Sequence, residues 1–312
     1  MSLDPVLQQL LAQVPTVPPG PIDYPTIRAQ AAALLPMIAP VATRAEVKSV
    51  EDRKVVDGSV SVPLRIYRPV GDVTGILHFI HGGGWSVGDL DTIDPTARRL
   101  CAGLSMVVVA SSYRLSPENP FPAGFEDSIA AARWVQSHRQ ELGGEHLPTV
   151  IGGDSAGGNL AAAIVIAMRD TAEQTFDVQL LLYPAVDLRP GAAEYPSRQR
   201  NADPTLRADD MSHYVDAYVG GADAADPRIS PLAVTSVEGL PPALVVVQTV
   251  DPLRDEAIAY ADRLRDAVVP VDVIEFGNLT HGFVHMAGLV PAAADATDEV
   301  MERLTKLVSA VA

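Results

Sequence analysis

The sequence predicts an α/β fold: a mostly parallel central sheet with helices on both faces and a helical cap. Three observations carry this. Short apolar runs rich in branched residues alternate with amphipathic segments of helical length, the rhythm of a sheet flanked by helices. The runs are apolar throughout, as in strands buried on both faces. A polar, proline-bearing stretch at 188–225 interrupts the rhythm and is set apart from it.

The elements follow in order. "PVLQQLLAQV" is amphipathic, "PTVPPGPIDYP" breaks it, and "TIRAQAAALLPMIAP" resumes with an apolar face. Residues 1–45 are too few for a domain and too apolar for a free tail, so they are assigned to the N-terminal part of a cap. "SVSVPLRIYRP" alternates like a strand, with a hairpin turn expected at Asp57-Gly58. "TGILHFI", "MVVVASS", "TVIGGD", "VQLLLYPAV", "ALVVVQT" and "VDVIEF" read as strands. "FEDSIAAARWVQSHRQEL", ended by Gly143-Gly144, reads as a helix. So do "SAGGNLAAAIVIAMRD", "RDEAIAYADRLRDA" and the last twenty residues. The core is thus divided into 46–187 and 226–312, with 188–225 a cap insertion.

A chain of 312 residues, 47% hydrophobic and 20% charged, can bury a substantial core. The net charge of −16 argues against nucleic acid and against anionic membrane surfaces. Cys101 is the single cysteine, so no internal disulfide is expected. "MSLDPVLQQLLAQVP" lacks a basic start followed by a continuous apolar run, and no apolar stretch is long enough to span a bilayer. The expectation is a cytoplasmic protein.

Gly153-Asp154-Ser155-Ala156-Gly157 fits G-x-S-x-G between a predicted strand and a predicted helix. Such a turn leaves no room for Cβ atoms two residues either side of the serine. It lifts Oγ above the sheet edge, beside the N–H groups of the helix start. A serine hydroxyl needs a base. His281, in "NLTHGF", follows the strand "VDVIEF" by a short loop, where parallel sheets place ligands. His78 lies in an apolar strand and reads as core, whereas His138, His146 and His213 read as surface residues. His281 and His285 are four apart, but no glutamate lies between them as in H-E-x-x-H and no third ligand is evident, so no metal site is expected. Asp251 directly follows the strand "ALVVVQTV" and is chosen as the carboxylate that orients the histidine, ahead of Asp255 and Glu256. The order Ser155, Asp251, His281 is the α/β-hydrolase order of nucleophile, acid and base.

"HGGGW" follows the strand "TGILHFI". Glycines here let N–H groups point into a pocket and receive a developing oxyanion, with the Ala156 N–H as a further donor. A phosphate-cradling loop would want a lysine next, but Trp85 follows.

Taken together, "HGGGW", "YRLSPENPFPA", "GDSAGGN", "DPLRDE" and "HGF" resemble the hormone-sensitive lipase-like (bacterial family IV) esterases of the α/β-hydrolase fold, over residues of about 75 to 285. The resemblance implies Ser155 as nucleophile, Asp251 as acid and His281 as base. It implies oxyanion donors at Gly83, Gly84 and Ala156, with His81 and Gly82 supporting that loop. Tyr113, Arg114, Glu118 and Pro122 fall in a family segment with a structural role. One departure is Gln248-Thr249-Val250 before the acid, where many relatives carry a small residue.

The implied activity is that of a serine carboxylesterase for short- to medium-chain acyl esters, needing no metal or organic cofactor. Leu34, Leu35, Met37 and Ile38 are candidates for its pocket or for buried core. The partner is a small-molecule ester, with a homodimer through an edge strand implied by the family. Two alternatives stand beside it. An amidase or deacetylase would use the same acyl-enzyme chemistry. A receptor on this fold, like the plant gibberellin receptor, would have lost the base that His281 supplies here.

Overall fold

The computed structural model describes residues 2–14, 22–57, 60–200 and 202–311. Its strands are β1 (Ser49–Asp57), β2 (Val60–Arg68), β3 (Ile76–Ile80), β4 (Val107–Ser111), β5 (Thr149–Asp154), β6 (Val178–Leu182), β7 (Ala243–Gln248) and β8 (Val271–Phe276). They form one sheet in the order β1-β2-β4-β3-β5-β6-β7-β8. Strand β2 runs antiparallel to β1 and β4, and all the other pairs are parallel. β1 and β2 pair out to Asp57 and Val60; Gly58 of the expected turn lies outside the described residues. Ile80 pairs with Gly153, Asp154 with Leu182, and Gln248 with Phe276. The loops after β3, β5, β7 and β8 therefore leave the sheet along one edge.

The helices are α1 (Pro5–Leu11), α2 (Tyr24–Ile38), α3 (Leu90–Leu104), α4 (Ala123–Ser137), α5 (Arg139–Leu142), α6 (Ala156–Asp170), α7 (Pro196–Arg200), α8 (Ala208–Val219), α9 (Arg254–Asp266) and α10 (Pro291–Ser309). The unbroken apolar runs serve two layers at once. Ile76, Ile80, Val107, Val109, Val245 and Val247 face the α4, α6 and α9 side. Leu77, Phe79, Val108, Ala110, Leu244 and Val246 face α3 and α10. Each of these side chains other than Ala110 contributes about 1.5–3 kcal/mol by leaving water, so these two layers hold the fold.

Two elements differ from expectation. Helix α3 escapes the apolar-pattern reading because Pro95 sits inside it; what starts it is a capping box between Asp89 and Thr92. The single helix expected over 125–142 is split at His138 into α4 and α5. There the backbone leaves the helical region, and the ring stacks on Trp134 at 4.3 Å.

Residues 1–45 do two things. Leu7 of α1 is fully buried in the layer with α3 and α10. Helix α2 buries no residue, and its Ile27 lines the cavity shared by Ser155 and His281. Its Arg28 fastens it: Nε donates to the Ser86 carbonyl at 2.7 Å, and Nη2 donates to the Ser116 carbonyl at 2.8 Å. The same guanidinium makes a fork to the Glu118 carboxylate at 2.9 and 2.7 Å. Tyr24 Oη donates to the His213 carbonyl at 3.0 Å, tying α2 to α8.

Candidate active site

The turn from β5 into α6 holds Ser155 at φ 55°, ψ −118°, a strained backbone for a residue with a side chain. Both flanking glycines are sterically required. A Cβ on Gly157 would lie 2.0 Å from the Ile80 carbonyl oxygen, and one on Gly153 would lie 2.4 Å from the Gly157 carbonyl carbon. The Ser155 N–H donates to the Leu182 carbonyl at 2.9 Å, which pins the turn to the next strand. Ala156 is the first residue of α6, so its N–H belongs to the unpaired, partly positive start of that helix.

His281 follows β8, and its Nδ1 lies 2.7 Å from Asp251 Oδ2. Asp251 is fully buried after β7, and its Oδ1 accepts the Leu253 N–H at 2.8 Å. One carboxylate oxygen is thus fixed by backbone while the other faces the imidazole, so Nδ1–H is the donor and Nε2 is left free to take a proton. Burial pulls the His281 imidazole down, but Asp251, with Asp203 and Asp154 behind it, holds it above the ordinary histidine value.

The rival acids point elsewhere. Asp255 accepts the Ser197 N–H at 2.8 Å and pairs with Arg254. Glu256 is buried against Arg198 and accepts the Val186 N–H at 2.9 Å. Burial pushes its carboxyl up to about 7 in spite of Arg198.

The loop after β3 turns sharply, with Gly83 at φ 105° and Gly84 at φ 56°. A Cβ on Gly83 would lie 2.1 Å from the Val87 carbonyl oxygen, so only glycine fits. His81 stacks on Tyr113 at 4.4 Å, and Tyr113 Oη donates to the His81 carbonyl at 3.1 Å. Burial keeps the His81 imidazole below the ordinary value, hence neutral, and its Nδ1–H donates to the Gly82 carbonyl at 2.7 Å. Trp85 stacks on Tyr218 at 4.5 Å, which seats the far end of the loop under α8.

Ser155, His281, Gly83 and Gly84 line one cavity of about 300 Å³, walled by Ile27, Leu206, Met211, Val215 and Leu253. Across the Gly82–Gly84 loop lies a second cavity of about 290 Å³, lined by Leu34, Leu35 and Ile38 of α2 with Val87 and Ile93. Of the four α2 candidates, Met37 lines neither cavity.

Asp154 and His285 make contacts that the sequence did not reveal. Asp154 Oδ1 accepts the Gly82 N–H at 2.9 Å, and its Oδ2 accepts the His285 Nε2–H at 3.0 Å. Burial raises this carboxyl, but His285 and the Gly82 N–H outweigh it and keep it below the usual range. His285 is in turn 3.1 Å from Thr96 Oγ1. His281 and His285 therefore face different carboxylates instead of sharing one ligand. The signal available was Asp154's position beside Ser155, at a strand end. Its reach to Gly82 depends on β3 and β5 being neighbours.

Removing the side chain that donates to Asp154 should loosen the loop that carries Gly82. We expect His285→Ala to lower kcat for p-nitrophenyl butyrate by about tenfold, less than the hundredfold or more of deleting an oxyanion donor outright. Steady-state kinetics check this; a kcat equal to that of the wild type would show that Gly82 is held without His285.

Residues 77–285 match the family model described as the alpha/beta hydrolase fold. The chain belongs to this family. It is 38% identical to carboxylesterase NlhH of Mycobacterium tuberculosis, over 99% of this chain and 97% of that one. It is 40% identical to carboxylic ester hydrolase LipN of the same organism, over 84% of this chain and 71% of the relative. The alpha/beta hydrolase architecture also matches the solved hyperthermophilic esterase from Pyrobaculum calidifontis, with a TM-score of 0.90 and 34% identity over all of both chains.

Proposed function

We propose that this protein is a serine carboxylesterase hydrolysing short- to medium-chain acyl esters through a covalent acyl-enzyme. The observation that carries it is His281, bonded to a buried Asp251 at 2.7 Å, lining the same cavity as a strained, glycine-flanked Ser155. Relatives named carboxylesterase and carboxylic ester hydrolase support the reaction class.

Ser155 Oγ attacks the ester carbonyl while His281 Nε2 takes its proton, and Asp251 stabilises the imidazolium that forms. The carbonyl oxygen becomes an oxyanion received by the N–H groups of Gly83, Gly84 and Ala156. The intermediate collapses, and His281 returns the proton to the departing alcohol. Water, deprotonated by the same imidazole, then releases the acid and restores Ser155. Every proton in this cycle is carried by His281, so the chain's own residues suffice.

The cap in this reading consists of residues 1–45 and 188–225, placed over a core of 46–187 and 226–312. Its apolar wall, Ile27 with Leu206, Met211 and Val215, suits an alkyl chain. The cellular setting we propose is the cytoplasm, and the assembly a homodimer through a sheet edge. Among the described residues no helix is long and apolar enough to cross a membrane.

A panel of p-nitrophenyl esters tests the function, combined with labelling by diethyl p-nitrophenyl phosphate. Turnover of acetate, butyrate and octanoate well above palmitate, with one label on Ser155, is expected. Faster cleavage of the matching anilides would make the protein an amidase. Absence of both turnover and label would remove the serine-hydrolase reading.

A further inference from the structure

We propose that Asp203 and Thr205, in the connection from α7 to α8, form a clip that positions the catalytic base from the cap side. The inference rests on His281 being that base. Asp203 Oδ2 accepts the His281 N–H at 2.6 Å. Its Oδ1 accepts the Thr205 N–H at 2.7 Å and the Thr205 hydroxyl at 2.6 Å. That hydroxyl also lies 3.1 Å from the His281 carbonyl. One pair of residues from the insertion therefore meets both backbone polar groups of His281, the single Thr205 hydroxyl proton being shared between Asp203 Oδ1 and the His281 carbonyl. Thr205 and Leu206 also line the cavity, so the strand of chain that grips the base is part of the wall a substrate would press against.

The choice of a carboxylate here is informative. Asp203 is 2% exposed, and a buried carboxylate is costly unless it is paired. Burial raises its carboxyl and nearby Asp251 adds to this, while the Thr205 hydroxyl, the His281 N–H and the His281 ring counter the rise without reversing it. For structural purposes alone a neutral acceptor would satisfy the His281 N–H. The negative group gains a further favourable interaction when His281 carries positive charge, which happens as Ser155 loses its proton. The clip thus stabilises the transition state more than the resting state. The groups facing the His281 ring are Asp251 at Nδ1, Tyr183 with ring centroids 4.6 Å apart, and the Asp203 and Asp154 charges.

The test compares Asp203→Ala, Asp203→Asn and Thr205→Val in the full chain, with thermal melting to establish folding. Each is titrated with diethyl p-nitrophenyl phosphate to count reactive Ser155, and kcat for p-nitrophenyl acetate is followed against pH. Asp203→Ala should lower kcat by about tenfold, the scale of a small displacement of a catalytic group. The acid limb of its profile should move to lower pH, because His281 without the neighbouring charge stays neutral further into acid. Asp203→Asn keeps an acceptor but loses the charge, so its limb should move the same way with a smaller fall in kcat. Thr205→Val removes a hydroxyl and no charge, so kcat should fall while the limb stays. Folded Asp203 variants with wild-type kcat and limb would overturn the clip. So would a lower kcat with an unmoved limb in both, the signature of lost packing alone. An inactive, unlabelled wild type would remove the esterase reading and the clip with it, whereas an active, labelled wild type with unaffected variants removes the clip alone.

Discussion

Ser155→Ala should abolish ester turnover, lowering kcat by about 10⁵–10⁶-fold, the scale seen when a serine hydrolase loses its nucleophile. Ser155 is the hydroxyl at the β5–α6 turn, in one cavity with His281 and the Gly83–Gly84 loop. The substitution should leave the fold untouched. The Ser155 side chain makes no capping bond to α6, and alanine bears the same φ of 55° as serine does. Its melting temperature should therefore stay close to that of the wild type. Circular dichroism melting and a p-nitrophenyl butyrate assay check both halves. Substantial turnover in a well-folded, pure variant would mean that the acyl group is carried elsewhere.

Asp251→Asn should lower kcat by about 10⁴-fold with little change in KM, through the tautomer of His281. The two oxygens of Asp251 have different tasks: Oδ1 accepts the Leu253 N–H and Oδ2 faces His281 Nδ1. An asparagine has one oxygen, and the rigid backbone donor claims it. The amide NH₂ then faces Nδ1, which must become an acceptor. The imidazole proton moves to Nε2, the nitrogen that has to receive the Ser155 proton. Asp255→Asn is the control, since Asp255 is engaged with Ser197 and Arg254 and does not reach the ring. Its kcat should remain near that of the wild type. A kcat for Asp251→Asn within tenfold of wild type would show that the ring is oriented by other contacts.

Much of this was readable in the chain. β3, β4, β5 and β7 announce themselves because strands packed on both faces leave no polar interruption, and their ends locate Ser155 and Asp251. The glycines at 83, 153 and 157 were legible for a related reason: a sharp turn against neighbouring backbone leaves a compositional trace. Other features left none. Helix α3 contains Pro95 and starts from a cap, so its apolar spacing is a poor guide. His285 and Asp154 meet across 131 residues, and Asp203 meets the His281 backbone across 78. Such contacts depend on how loops converge at one sheet edge, which local pattern does not encode. That Asp255 and Glu256 serve Ser197 and Arg198, while Asp251 faces His281, is visible only once the loops are in place.

The left-handed backbone at residue 155 has an evolutionary side. A conformation outside the regions favoured by side-chain-bearing residues costs about 1–3 kcal/mol, and glycine alone escapes most of it. A sturdier but inert version of this protein is therefore one codon change away. Any selection that rewarded heat resistance without also demanding turnover would drift toward it, so a stabilisation campaign on this scaffold must screen for catalysis in every round.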